Sequence, residues 1–129
     1  MRLLLDAPAL IWSADDPSKF GSKPAVELRN PENDLLLSAG TVWEIAIKVG
    51  IGRLSLSMPY QTWMDRAMED LGITLLGITV KHANAQVHLP THRGDPFDRR
   101  LIAQATVENL DLVSNDGKFD RYGIQRLCR

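Results

Sequence analysis

Short runs of consecutive aliphatic residues alternate along the chain with longer stretches in which apolar residues recur every three or four positions. Leu3-Leu4-Leu5 stands directly before Asp6, and Leu35-Leu36-Leu37 stands before Ser38. Runs this short, and apolar at every position, predict strands buried on both faces. Leu112-Val113-Ser114, running on to Asn115-Asp116, predicts a third. Gly72 to Ile78 predicts a short strand and turn, and the tail YGIQRLC a last strand.

The helical stretches are as distinct. APALIWSA carries Pro8 in what would be its first turn, where a missing N–H costs little. AVELRN predicts a short helix after the polar turn region DDPSKFGSKP, and Pro31-Glu32-Asn33-Asp34 predicts a turn. In GTVWEIAIKVG, closed by Gly50, Val42, Ile45, Ala46 and Val49 fall at helical spacing. After the loop IGRLSLSMP, Tyr60 to Leu71 is amphipathic, with Trp63, Met64, Ala67, Met68 and Leu71 on one face. Thr79 to Val87 and Asp95 to Glu108 predict two further helices. Asp95 followed by Pro96 is a strong start signal, a capping acid and then proline at the first helical position. Apolar strands alternating with amphipathic helices define the α/β class, with a mostly parallel sheet covered on both faces. In such sheets functional groups gather beyond the carboxyl ends of the strands.

The 129 residues fit one domain, spanning 1–129. No apolar run approaches the ~18–20 residues of a membrane span, and LLL before Asp6 is too short for the core of a signal peptide. Cys128, the single cysteine, offers neither an internal disulfide nor a zinc spacing. It is read as a small, partly buried apolar residue in a chain of the reducing cytoplasm. A formal net charge of −1 does not advertise a nucleic-acid binder. It does not exclude one either, because an enzyme that holds phosphate through metal ions needs acids at its centre.

Acids do gather at the strand ends. In a parallel sheet Asp6 and Asp116 emerge at one edge, and Glu44 and Asp98 lie near enough along their helices to reach it. Each has a plainer role open to it. Asp6 would cap the helix opened by Pro8, and Glu44 would complete a T-x-x-E capping pattern with Thr41. Asp98 would favour the positive end of its helix, and Asp116 would serve as a turn residue. Together they raise a physical problem, since two unit charges ~5 Å apart repel by about 3 kcal/mol at an effective dielectric near 20. Divalent cations resolve it. Mg²⁺ or Mn²⁺ takes carboxylate and water oxygens and leaves positions open for phosphate. One or two such ions can activate a water and steady the leaving oxygen of a phosphodiester.

LLLD at the start, LSAGTVWEIAIKVGIGRL, HRGDPFDRRLIAQA, LVSND with Phe119 after it, and YGIQRL at the end together resemble the PIN-domain ribonucleases. The likeness is greatest to the VapC toxins of bacterial toxin–antitoxin modules and runs nearly the whole chain. It implies a three-layer α/β/α sandwich and an Mg²⁺- or Mn²⁺-dependent endoribonuclease. Asp6, Glu44, Asp98 and Asp116 would be its metal-holding, catalytic acids, with Ser114 the small hydroxyl beside the last. It also implies an RNA substrate, a cognate antitoxin, a homodimer, and operator DNA reached only through the antitoxin. Relatives of this subgroup commonly begin D-T-H-A-L-L-W; here Ala7 and Pro8 replace the hydroxyl and imidazole. A weakened or inactive PIN-like module is therefore an alternative. A receiver-like phosphoacceptor domain is a third reading, but Asp15-Asp16 lie well past the first strand and Lys118 follows Asp116 too closely for it.

Arg93, Arg99 and Arg100 flank the acids and suit RNA phosphates, or equally pair with Asp95 and Asp98. Asp95 is assigned the cap and an outer role beside an arginine, and Asp98 the metal. Lys48 could meet RNA phosphate from its helix but reads more simply as solvated, His92 reads as structural or as support to a metal ligand rather than a general base, and His82 and His88 show no ligand spacing. Trp12, Trp43, Trp63 and Phe97 would stack bases, or belong to the core or an interface. Met58, Met64 and Met68 around Trp63 suit either core or a partner-gripping surface.

Overall fold

The computed structural model describes residues 1–19, 21–90, 96–123 and 125–127. Its strands are β1 (Arg2–Leu5), β2 (Asp34–Ser38), β3 (Thr74–Leu76), β4 (Asp111–Val113) and β5 (Arg126–Leu127). Its helices are α1 (Ala7–Asp15), α2 (Ser22–Arg29), α3 (Ala39–Gly50), α4 (Tyr60–Leu71), α5 (Val80–Val87) and α6 (Pro96–Glu108). Short 3-10 turns span Pro17–Lys19 and Gly117–Tyr122. The five strands form one sheet in the order β3-β2-β1-β4-β5, every pair parallel.

The leucine triplets explain the layering. Successive side chains of a strand point to opposite faces. Leu3, Leu5, Leu35, Leu37 and Val113 accordingly join one core with Leu10, Ile45, Trp63 and Met64 of α1, α3 and α4. Leu4, Leu36 and Leu112 join the other, with Leu101, Ile102 and Ala105 of α6 and with Phe119. Two cores on one sheet make the three-layer α/β/α sandwich. No helix among the described residues is long and apolar enough to cross a membrane.

Local differences from the sequence reading have clear causes. α2 begins at Ser22, inside the expected turn region, because Pro24 falls within the first turn, where proline is tolerated. α3 is capped by Ser38, whose hydroxyl accepts the Gly40 N–H at 3.0 Å. Thr41 is therefore inside the helix rather than at its cap, and the T-x-x-E capping pattern for Glu44 is corrected. Trp43 is 67% exposed and is not a core residue. Trp63 is buried and donates its indole N–H to Asp15 at 2.8 Å. Met64 is buried with it, while Met58 and Met68 pack partly buried on the same core. α4 ends where expected, with Gly72 in the left-handed conformation (φ 64°) that closes the helix.

Candidate active site

Strand register builds the site. Leu5 of β1 lies level with Leu37 of β2 and with Val113 of β4. The next residue on each strand is Asp6, Ser38 and Ser114, so three polar side chains share one level at the carboxyl edge. All three are buried. The backbone holds this level, since Asp6 donates its N–H to the Val113 carbonyl at 3.2 Å.

Asp6 has two duties. Its Oδ1 accepts the Ala9 N–H at 2.8 Å, which caps α1 as the plainer sequence reading expected. Its carboxylate also accepts a hydrogen bond from Ser114. Burial pushes the Asp6 carboxyl up from 3.8 to about 6, and the charges of Glu44 and Asp116 push the same way; the bonds from Ser114 and Ala9 act against them. Glu44 and Asp116 are thus near enough for their charges to act on Asp6.

Glu44 is buried on α3, and its Oε2 is 2.7 Å from Lys48 Nζ, one turn further on. Lys48 is therefore paired rather than simply solvated. Asp116 caps the turn Gly117–Tyr122, accepting the Lys118 N–H at 2.9 Å. Its own N–H donates to the Ser114 hydroxyl at 3.0 Å. Ser114 so connects Asp6 to Asp116. Arg126 of β5 holds the Ser114 carbonyl at 3.2 Å.

Asp98 stands half-buried in the first turn of α6. It precedes the buried Leu101 and Ile102 by one helical turn and so shares their face. That turn leans on α3: Phe97, Arg100 and Leu101 line a narrow cleft with Ser38, Thr41 and Glu44. Arg100 packs closely over Gly40, where a Cβ would lie 2.6 Å from its Nη1 and would push the end of that side chain aside. Arg100 also lies over the Phe97 ring, 4.6 Å from its centroid. Arg99 turns elsewhere, donating to the Pro90 carbonyl at 3.0 Å and to the Tyr122 hydroxyl at 3.4 Å. Arg93, Asp95 and His92 lie outside the described residues, as does Cys128.

The donor set suits a hard divalent cation. Asp6 and Glu44 are buried carboxylates on rigid elements, and Asp6 is held back from ionising first by its burial and then by the charges of Glu44 and Asp116. Among the described residues no three of His, Cys, Asp and Glu stand at joint ligating distance. Sequence reasoning passed over Ser38, although a serine before an apolar helical run is a cap signal, and over the Glu44–Lys48 pair, although i,i+4 spacing announces it. It gave no role to His82, which is buried, with its Nε2 2.8 Å from Glu108 Oε2 and its Nδ1 accepting the Thr79 N–H at 3.0 Å. That pairing joins α5 to α6 away from the acids.

Similar folds are found among solved structures. VapBC2 from Rickettsia felis, bound to a DNA fragment from its promoter, aligns at a TM-score of 0.76 with 17% identity, covering 98% of each chain. FitAcB from Neisseria gonorrhoeae aligns at 0.63 with 19% identity, covering 97% of this chain and 96% of that one. VapBC-1 from nontypeable Haemophilus influenzae aligns at 0.61 with 16% identity, covering 99% and 98%. No curated protein matches by sequence. The family model of the PIN domain matches residues 3–125, nearly the whole chain, and removes the receiver-like alternative. The chain belongs to the PIN-domain family.

Proposed function

We propose that the chain is a divalent-metal-dependent endoribonuclease and the toxin of a toxin–antitoxin pair. The observation that carries this reading is Asp6, a buried carboxyl raised to about 6 by burial and by Glu44 and Asp116. An acid placed at such a cost to folding is explained by a cation that repays it on binding. Asp6, Glu44, Asp98 and Asp116 would hold Mg²⁺ or Mn²⁺. The bound ion would supply an activated water and offset charge on the phosphate oxygens of RNA.

The chain's own residues prepare that chemistry. Ser114 orients Asp6 and ties it to Asp116, so the acids at the two ends of the sequence keep one geometry. Lys48 neutralises Glu44 and limits the repulsion among the acids. The buried Ser38 and Thr41 close the α3 side. The Ser114 hydroxyl on Asp6 also bears on the departure at Ala7 and Pro8. The support that a following threonine would offer comes here from the neighbouring strand, which favours an active enzyme over an inactive module. An antitoxin and a homodimer complete the reading by kinship with the toxin–antitoxin assemblies of similar fold.

The test is cleavage of total cellular RNA with end-mapping, with and without Mn²⁺, beside Asp6→Asn. Metal-dependent cuts bearing 5′-phosphates, absent from the variant, are expected. Equal cutting by Asp6→Asn would overturn the site.

A further inference from the structure

A cavity of about 580 Å³ lies between α1, α3 and the loop after α3, within the range of small-molecule sites. Pro8, Ile11, Trp12 and Ile45 give it an apolar lining, and Lys48 and Arg53 stand at its side. It adjoins the acids at two points. Ala7, which lines it, directly follows Asp6, and Lys48, which also lines it, is bonded to Glu44.

We propose that this groove is the subsite for the nucleotide next to the scissile phosphate of a single-stranded RNA. The base would enter against Pro8, Ile11 and Trp12 while Lys48 and Arg53 receive its phosphate. This rests on the nuclease reading and adds to it where the strand lies.

The chemistry divides as a nucleotide does. A base has an apolar face and binds aromatic lining without regard to sequence, and its phosphate asks for a cation. Lys48 spends one contact on Glu44 and, with three donors on its ammonium, keeps others for phosphate. Lys19, 5.9 Å from the Trp12 ring centroid, adds a third cation to the same wall. The acids of the lining are engaged elsewhere. Asp15 accepts from the Trp63 indole at 2.8 Å and the Ser57 hydroxyl at 2.7 Å, and Asp16 accepts from Ser18. The groove is thus lined by three cations, Lys19, Lys48 and Arg53, against two aspartates that already accept hydrogen bonds, and this balance beside an apolar wall complements a polyanion with flat apolar bases.

The experiment measures binding of short single-stranded oligoribonucleotides by fluorescence anisotropy, in EDTA and again in Ca²⁺. Oligomers carrying one abasic position are compared on the parent protein, Trp12→Leu and Trp12→Phe, each checked for an unchanged melting transition. One abasic position should weaken binding to the parent by on the order of tenfold. Trp12→Leu should weaken the intact oligomer equally and lose all sensitivity to that position, and Trp12→Phe should restore most of it. If the parent cuts RNA with Mn²⁺ but Trp12→Leu binds every oligomer as the parent does, the subsite is wrong while the nuclease reading stands. If the parent neither binds nor cuts RNA, the nuclease reading falls as well.

Discussion

Ser114 and Asp6 sit side by side on adjacent parallel strands, and the serine hydroxyl bonds the aspartate carboxylate. Because that bond favours the ionised acid, Ser114→Ala should drive the Asp6 carboxyl further above its present value of about 6. Metal binding needs the ionised form. Mn²⁺ affinity near pH 6.5 should drop by roughly tenfold and largely recover near pH 8.5. Calorimetric titrations at the two pH values check this; an affinity loss that does not depend on pH would speak against it.

Asp6 also makes the fold sensitive to pH. Its carboxyl rises from 3.8 when unfolded to about 6 when folded. The protonated acid is the better folded form, so the associated stability is complete below pH 3.8 and is lost as pH rises through about 6. The shift corresponds to about 3 kcal/mol at neutral pH. Asp6→Asn, which keeps a capping side chain, should therefore be more stable than the parent at pH 7 by up to about 3 kcal/mol. Urea unfolding at pH 7 and near pH 4 tests the sign, since the advantage should vanish at the lower pH.

Lys48→Met leaves Glu44 buried without its cation. The lysine is 43% exposed, which limits the contribution of the pair to about 1 kcal/mol. The variant should melt below the parent in EDTA and gain more from Mn²⁺, because the ion then meets an unneutralised carboxylate. Thermal melts with and without Mn²⁺ measure both effects, and a smaller Mn²⁺ gain than the parent's would count against Lys48 as the counter-ion of the site.

The two aspartates of DPFD are expected to separate by function. Asp98→Ala should remove cleavage of RNA while changing the melting temperature little. Asp95→Ala should cost about 0.5–2 kcal/mol of stability and leave cleavage measurable. RNA cleavage and melting measured on both variants decide it, and the reverse pattern would exchange the assignments.

How far the sequence announces this arrangement depends on the distance over which a feature is made. The bounds of α4, the end of α3 at Gly50 and the leucine strands follow from local pattern and are found where periodicity puts them. The 3-10 turn after Asp116 and the early start of α2 are short elements with weak periodicity, and they escape such a reading. The acids themselves are legible as residues at strand ends. Their partners are not, because Ser114 meets Asp6 only once β1 and β4 are neighbours, and strand order is a tertiary fact. Lys48 and Glu44 are the opposite case, a contact one helical turn apart that spacing alone announces.

β1 lies between β2 and β4, so one of its neighbours comes from far along the chain, Leu3 pairing with Asp111. A chain interrupted before Asp111 keeps Asp6 and Glu44 but has no Ser114 to orient the acid and no Asp116 to complete the group. The strand order thus makes the grouping of Asp6 with Ser114 and Asp116 wait on β4, whatever the earlier elements have already formed.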